Sequence, residues 1–199
     1  MRKNQIHPST TMIFKSHPYI KSTVALTGIL VLTFFLLGVF NPTQTLIIKQ
    51  RIDRPPTVVF ATYTNPEMMV RRIKNLLEVE LISGEPNEVG SVYEFRVSGK
   101  KQNYVITEEL TEFIRDQRIA YQLKSEAMTV DAEINFIPEN GGTLVVATHH
   151  VTGKGDFWKA YFNFFHSLLE KKLKEDYLNL KQLAEEVEIK EKRNNKEDK

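Results

Sequence analysis

The sequence predicts an α+β fold in which an antiparallel sheet is followed by one long C-terminal helix, with a single transmembrane helix ahead of both. A run of twenty uncharged residues extends from Ser22 to Asn41. Between residues 92 and 151, apolar and polar side chains alternate with a period of two, which is typical of half-buried strands. From about Phe157 to Val187 the apolar positions follow the 3.6-residue helical period instead.

Composition sets the broad class. The chain has 199 residues, of which 41% are hydrophobic and 26% charged, as in an ordinary folded domain. It contains no cysteine, which excludes disulfides, iron–sulfur clusters, cysteine-type zinc sites and a thiol nucleophile. Residues 1–44 carry four basic and no acidic side chains, and the remaining 23 basic and 25 acidic residues leave a charge of −2. The globular part therefore has no basic excess for nucleic acid.

The apolar run at residues 22–41 has three possible interpretations. Twenty helical residues span about 30 Å, the hydrocarbon thickness of a bilayer. A cleaved signal peptide usually has a shorter apolar run and small residues at its cleavage site, whereas Phe40 and Pro42 stand here. A core helix of a soluble protein would need a more polar face. The run is best interpreted as an uncleaved membrane anchor.

Flanking charge predicts the orientation of this anchor. Arg2, Lys3, Lys15 and Lys21 precede the span, against only Lys49 and Arg51 soon after it. The positive-inside rule then places a tail of residues 1–21 in the cytoplasm and the rest of the chain on the outer side, periplasmic or extracellular.

The segment after the anchor predicts a strand, two short helices and a second strand. Thr45–Ile52 is rich in β-branched residues and is interpreted as a strand. Asp53 is a candidate cap for the first helix, and Asn65 for the second. Leu76–Ile82 is the second strand.

Five further segments joined by short turns predict an antiparallel meander. They are 92–97, 102–113, 118–124, 128–136 and 143–151. Asp156 is then the candidate cap of one continuous helix from Phe157 to Val187, and residues 188–199 are expected to form a charged, flexible tail.

This order of elements, with several local motifs, resembles a known family. The motifs are Ile52–Phe60, Asn65-Pro66-Glu67, Thr107-Glu108 followed by Arg115–Tyr121, and Gly141–Val146. Together they resemble the helix-grip fold of the START-like superfamily, also called SRPBCC, and within it the polyketide cyclase/dehydrase-like group. The resemblance covers about residues 45–186 of a domain assigned to 45–187. Many relatives carry a tryptophan shortly after the Asn-Pro-Glu turn, where this chain has Val70–Ile73, so no family ligand is carried over.

The resemblance implies a curved sheet that wraps the long helix and leaves an apolar cavity between them. Relatives use this cavity for lipids, sterols, polyketides or other hydrophobic molecules, and only some of them catalyse a reaction. It implies no universal catalytic residue and no cofactor.

Strand parity and helical spacing then nominate the residues that line the cavity. His149 faces the helix if Val145 and Ala147 do, and would serve as a polar anchor or a general base. Glu108, Glu109, Asp131 and Glu133 are assigned to the outer face of the sheet, and no residues have the spacing of a metal site. The predicted lining is Tyr93, Phe95, Tyr121, Met128, Val130, His149, Trp158, Phe162, Phe165 and Leu169.

Three functions fit this prediction. The first is a membrane-anchored domain that binds a hydrophobic small molecule or lipid. The second is a polyketide cyclase/dehydrase-like enzyme in which His149 or a tyrosine moves a proton. The third is an interaction domain without catalysis whose own side chains fill the cavity. No catalytic residue is assigned, and the binding domain is favoured because the chain offers no convergent acid–base pair.

Overall fold

The computed structural model describes the backbone of residues 18–197 and the side chains of Tyr19 and residues 21–186. The chain divides into two compact units, one ending at Thr33 and the other beginning at Phe34. Over Lys21–Phe40, one helix is long and apolar enough to cross a membrane, a test that an N-terminal signal sequence also meets. The tail predicted for residues 1–21 lies almost wholly outside the described residues.

The second unit contains a seven-stranded sheet and four helices in addition to the end of the first helix. The helices are α1 (Pro18–Phe40), α2 (Pro56–Thr64), α3 (Pro66–Arg72), α4 (Gly155–Phe164) and α5 (His166–Glu197). The strands are β1 (Thr43–Ile52), β2 (Leu76–Ser83), β3 (Val92–Val97), β4 (Tyr104–Ile114), β5 (Arg118–Lys124), β6 (Met128–Glu139) and β7 (Gly142–Gly153).

All neighbouring strands are antiparallel, in the order β1-β7-β6-β5-β4-β3-β2. The long β1 closes onto β7, and the other strands follow one another as a meander. This arrangement, with its long C-terminal helix, confirms the predicted α+β helix-grip fold class.

One row of paired residues crosses five strands and defines the inner face of the sheet. It runs Leu46, His149, Ala132, Tyr121 and Leu110, each paired with the next. All five side chains are buried. Because alternate residues of a strand share a face, this row fixes which side chains point inward along the central strands.

The main core lies between this inner face, α2 and α5. Val59 and Phe60 of α2, and Leu180 and Ala184 of α5, are buried there against Ile134 and its neighbours. A smaller cluster joins β2, β3 and the end of α3.

Short helices α2 and α3 begin in different ways. Asn65 caps α3 as predicted, because its Oδ1 accepts hydrogen bonds from the backbone N–H groups of Glu67 and Met68 at 2.9 and 3.2 Å. Asp53 is not the cap of α2. Pro55 holds that position without a side-chain bond, and Pro56 opens the helix with a φ that already suits it.

The C-terminal helix is not continuous, which corrects the prediction of one helix from Phe157. The helix breaks at Phe165, where φ is −98° and ψ is 22°. Asp156 lies in the first turn of α4 rather than at its cap, which is Lys154. The backbone of α5 continues past Val187 to Glu197, so the tail predicted from residue 188 is helical as far as it is described.

The last two turns of α1 belong to the second unit and contact α4. Gly38 lies so close to Ala160 that a Cβ at Gly38 would come within 2.5 Å of its backbone nitrogen. The Asn163 side-chain amide donates to the carbonyls of Leu37 and Asn41, at 2.9 and 3.1 Å. These two carbonyls lie at the C-terminal end of α1, and each also accepts a second hydrogen bond, Leu37 from the Asn41 backbone N–H and Asn41 from the Gln44 side chain.

Candidate functional site

A cavity of about 1220 Å³ lies inside the second unit, between the inner face of the sheet and helices α3 and α5. Its volume lies slightly above the usual range for ligand pockets. Most of its wall is apolar and includes Leu76, Val79, Ile106, Val151 and Leu173. The sheet leaves this space because β1 is the strand against which α5 packs closely.

Eight of the ten predicted lining residues face this cavity. They are Tyr93, Phe95, Tyr121, Met128, Val130, His149, Trp158 and Leu169. Gly153 allows the close approach of Trp158, since a Cβ at Gly153 would meet the Trp158 carbonyl carbon at 2.4 Å. That these side chains contact a ligand remains a prediction.

Phe162 and Phe165 lie away from the cavity wall, contrary to the prediction. Phe162 stacks on Trp158 with ring centroids 5.8 Å apart and packs against the main core. Phe165 is 37% exposed and stands at the break between α4 and α5. The break at Phe165 interrupts the helical period on which the Phe165 assignment depended.

The polar end of the cavity is built around Arg72, which the sequence prediction did not include. This side chain is only 6% exposed, and its Cζ lies 4.0 Å from the centroid of the Tyr63 ring. Its Nε has no hydrogen-bond partner. Arg72 is the last residue of α3, and Asn179 of α5 donates to its backbone carbonyl at 2.9 Å, which fixes where the side chain begins.

Two buried hydrogen bonds complete this polar end. The hydroxyls of Tyr63 and Tyr121 are 3.0 Å apart, and His149 Nε2 is 3.1 Å from the Tyr177 hydroxyl. The rings of Tyr63 and Tyr177 stack at 6.5 Å. Two helices and two strands thus bring four aromatic polar groups together near the guanidinium, which α3 supplies.

Glu108 also faces the cavity, which corrects its assignment to the outer face of the sheet. It is 8% exposed and shares the inner face with Leu110, two residues on. Adjacent residues of a regular strand point to opposite sides, so Glu109 is the residue that faces outward. Burial raises the pKa of Glu108 to about 7, although the positive charge of Arg72 opposes that shift.

His149 is buried and faces the cavity, as the parity argument predicts. Burial, together with the charges of Arg72 and His150, lowers its pKa to about 4. The imidazole is therefore neutral near pH 7. A base with so low a pKa is poorly matched to proton abstraction at neutral pH.

Asp176 of α5 is a second acidic group on the wall. Its Oδ1 is buried and without a hydrogen-bond partner, and burial raises its pKa while Lys172 and Arg72 oppose the shift. Among the described residues, no group of three or more histidines and carboxylates could hold a metal ion. The cavity thus combines a largely apolar wall with one cluster of buried polar groups.

Helical spacing was the signal that could have found Arg72. It stands three residues after Met69, and both side chains line the cavity. The charge of Arg72 alone would predict a surface position. The neighbouring Arg71 does lie at the surface, where it pairs with Glu186 at 2.9 Å.

Solved structures share this architecture at low sequence identity. The ZhuI aromatase/cyclase from Streptomyces sp. R1128 is 14% identical, with a TM-score of 0.61, and the match covers 72% of this chain and 94% of that one. Ara h 8.0201 is 13% identical, with a TM-score of 0.59, and the match covers 71% of this chain and 97% of that one. SA2116 from Staphylococcus aureus, a protein of unknown function, is 13% identical, with a TM-score of 0.60, and the match covers 73% of this chain and 95% of that one. At this identity the likeness establishes the helix-grip fold alone.

A comparison with curated proteins finds no match. The family described as polyketide cyclase/dehydrase and lipid transport matches residues 44–188, which is most of the chain. That match agrees with the strand order, the long C-terminal helix and the cavity between them. The chain therefore belongs to the polyketide cyclase/dehydrase and lipid transport family of the START-like, or SRPBCC, superfamily.

Proposed function

We propose that this protein is a membrane-anchored START-like domain that binds a hydrophobic small molecule or lipid in the cavity between its sheet and α5. The observation that carries the proposal is the cavity itself, about 1220 Å³ with a largely apolar wall. Removing apolar ligand surface from water contributes about 25 cal/mol per Å². A molecule that fills this space needs few polar contacts for useful affinity.

The two other functions have less support. An interaction domain whose own side chains fill the cavity is disfavoured, because the cavity keeps an open volume of about 1220 Å³. An enzyme that uses His149 as a general base is disfavoured by burial, which holds its pKa near 4. A domain that only binds a ligand needs neither a filled cavity nor a general base.

Membrane anchoring is supported by the N-terminal helix. Lys21–Phe40 meets the length and composition of a membrane span. Four basic residues lie at or before its N-terminal end, against Lys49 and Arg51 soon after it, which favours a cytoplasmic N-terminus and a domain on the outer side.

The binding proposal is tested by native mass spectrometry of the full chain, purified from membranes in mild detergent and followed by lipid extraction. We expect one hydrophobic molecule to co-purify per chain. Leu169→Trp should lower its occupancy severalfold, because Leu169 faces the cavity. Leu168→Trp is the matched control, since Leu168 is 61% exposed. A chain that is empty and stays empty after incubation with total lipid extract would overturn the proposal.

Orientation can be tested separately because the native chain has no cysteine. Lys101→Cys introduces one thiol in the exposed turn between β3 and β4. In intact cells, a membrane-impermeant maleimide should label this thiol if the domain is outside. Labelling only after permeabilisation would reverse the proposed orientation.

A further inference from the structure

Arg72 is a buried charge without an anionic partner. Within the described part of the chain, no carboxylate oxygen lies within the 4.0 Å of an ion pair, and its Nε makes no hydrogen bond. An arginine stays protonated at any physiological pH. Burying such a group without a partner is costly, so a wholly structural role for Arg72 accounts poorly for its position.

The protein satisfies the Arg72 guanidinium only in part, since Tyr63 interacts with it but Nε has no hydrogen-bond partner. The Tyr63 ring lies against the guanidinium and attracts its charge, but a ring face satisfies no N–H group in the way an oxygen does. The Tyr63 and Tyr121 hydroxyls bond each other, as do His149 and Tyr177. Arg72 itself lines the cavity, beside apolar side chains such as Met69 and Leu173.

We propose that the ligand of this cavity is an amphipathic carboxylate, such as a long-chain acid, whose carboxylate binds the Arg72 guanidinium while its apolar chain lies along the rest of the wall. The inference rests on the proposed function and names the chemical class of its ligand. The planar fork of arginine matches a carboxylate with two parallel hydrogen bonds.

A single negative charge matches the single buried guanidinium of this cavity. Among the described residues Arg72 is the one buried cation, and Glu108 and Asp176 are carboxyl groups on the same wall, with Lys172 acting on Asp176. The two negative charges of a phosphate monoester would have one buried cation to pair with and two carboxyl groups nearby. Glu108 in its protonated form would add an O–H donor for a ligand carboxylate.

The test compares two fluorescent probes that differ only in charge: cis-parinaric acid and its methyl ester. Both are titrated against the full chain held in amphipol. Trp158 is the only tryptophan and lies on the cavity wall, so energy transfer from Trp158 to the polyene reports binding inside the cavity. Variants Arg72→Leu and Arg72→Lys are compared with Arg71→Leu, which removes the same charge from the same helix outside the cavity.

We expect wild-type protein to bind the acid roughly 10- to 100-fold more tightly than the ester, the range for hydrogen bonds to charged groups. Arg72→Leu should abolish this preference and leave ester binding unchanged, Arg72→Lys should keep part of it, and Arg71→Leu should keep all of it. The wild-type comparison needs no variant, so a folding defect in Arg72→Leu does not blunt the test.

Two results would overturn the inference, and they are distinguishable. The inference fails if the ester binds as tightly as the acid, or if folded Arg72→Leu keeps the preference for the acid. In either case the cavity binds apolar molecules without recognition of a carboxylate by Arg72, and the proposed function stands. If neither probe binds folded wild-type protein although total lipid extract still loads one hydrophobic molecule per chain, this inference fails and the proposed function stands; if the extract loads nothing either, both fail.

Discussion

The guanidinium of Arg72 lies over the ring of Tyr63, with Cζ 4.0 Å from the ring centroid. The two residues come from consecutive helices, and the hydroxyl of the same tyrosine reaches Tyr121 on the sheet. Tyr63 therefore couples the buried charge to the inner face of the sheet, through its ring on one side and its hydroxyl on the other.

Substitution of Tyr63 should separate these two contacts. Tyr63→Phe keeps the ring beneath Arg72 and removes only the hydrogen bond, so we expect the free energy of unfolding to fall by about 1 kcal/mol. Tyr63→Leu also removes the ring and should cost about 2 kcal/mol more. Urea unfolding followed by Trp158 fluorescence measures both values. Tyr104→Phe, at an exposed tyrosine, is the control. If Tyr63→Phe and Tyr63→Leu lower the free energy of unfolding equally, the ring of Tyr63 contributes nothing to stability.

Glu108 should make the folded domain less stable as the pH rises. Its pKa is about 7 in the folded state and 4.5 when unperturbed, so the folded state holds the proton more tightly. Stability from this group is lost between pH 4.5 and 7, to a limit of about 3 kcal/mol. Glu108→Gln should therefore be more stable than wild type at pH 8 and similar to it below pH 4.5. Glu109→Gln, on the outer face, is the matched control. A constant difference between Glu108→Gln and wild type from pH 4 to 8 would contradict this.

His149 should have the opposite effect on stability. Its pKa falls from 6.5 to about 4 on folding, so the folded state favours the neutral imidazole. Stability from His149 is complete above pH 6.5 and is lost as the pH falls towards 4, by at most about 3 kcal/mol. His149→Gln, which can still bond the Tyr177 hydroxyl, should remove this sensitivity to acid. The measurement is the unfolding free energy of variant and wild type at pH 4, 5.5 and 7, and parallel curves would exclude a buried neutral His149.

Patterns that repeat along the chain were sufficient to predict the sheet and the general position of the cavity. Alternation with period two placed Tyr121, Val130 and His149 on the same face, and the structure brings all three to the cavity wall. Such patterns depend on a majority of apolar residues. They therefore predict a face reliably even where one member is polar, as at His149.

The polar end of the cavity was not predictable in the same way. Arg72 and Glu108 are charged residues at inward positions, and a rule that sends charge to the surface assigns both incorrectly. The burial of Arg72 depends on the packing of α3 against α5, which is distant in sequence, and its spacing from Met69 is the one local sign of it. The helix break at Phe165 was also not predicted, because the apolar residues around it follow the spacing of a continuous helix.

The contact between Gly38 and Ala160 predicts a strict size limit at the end of α1. Any side chain at Gly38 would meet the backbone of α4, and overpacking of this kind costs about 1–3 kcal/mol. Gly38→Leu should therefore lower the unfolding free energy of the domain by that amount and increase protease cleavage near Asn41, whose carbonyl Asn163 normally binds. Gly28→Leu is the matched control, because nothing lies within 4 Å of a Cβ at Gly28. If the two variants have the same stability and the same cleavage pattern, α4 does not rest on α1 in the folded protein.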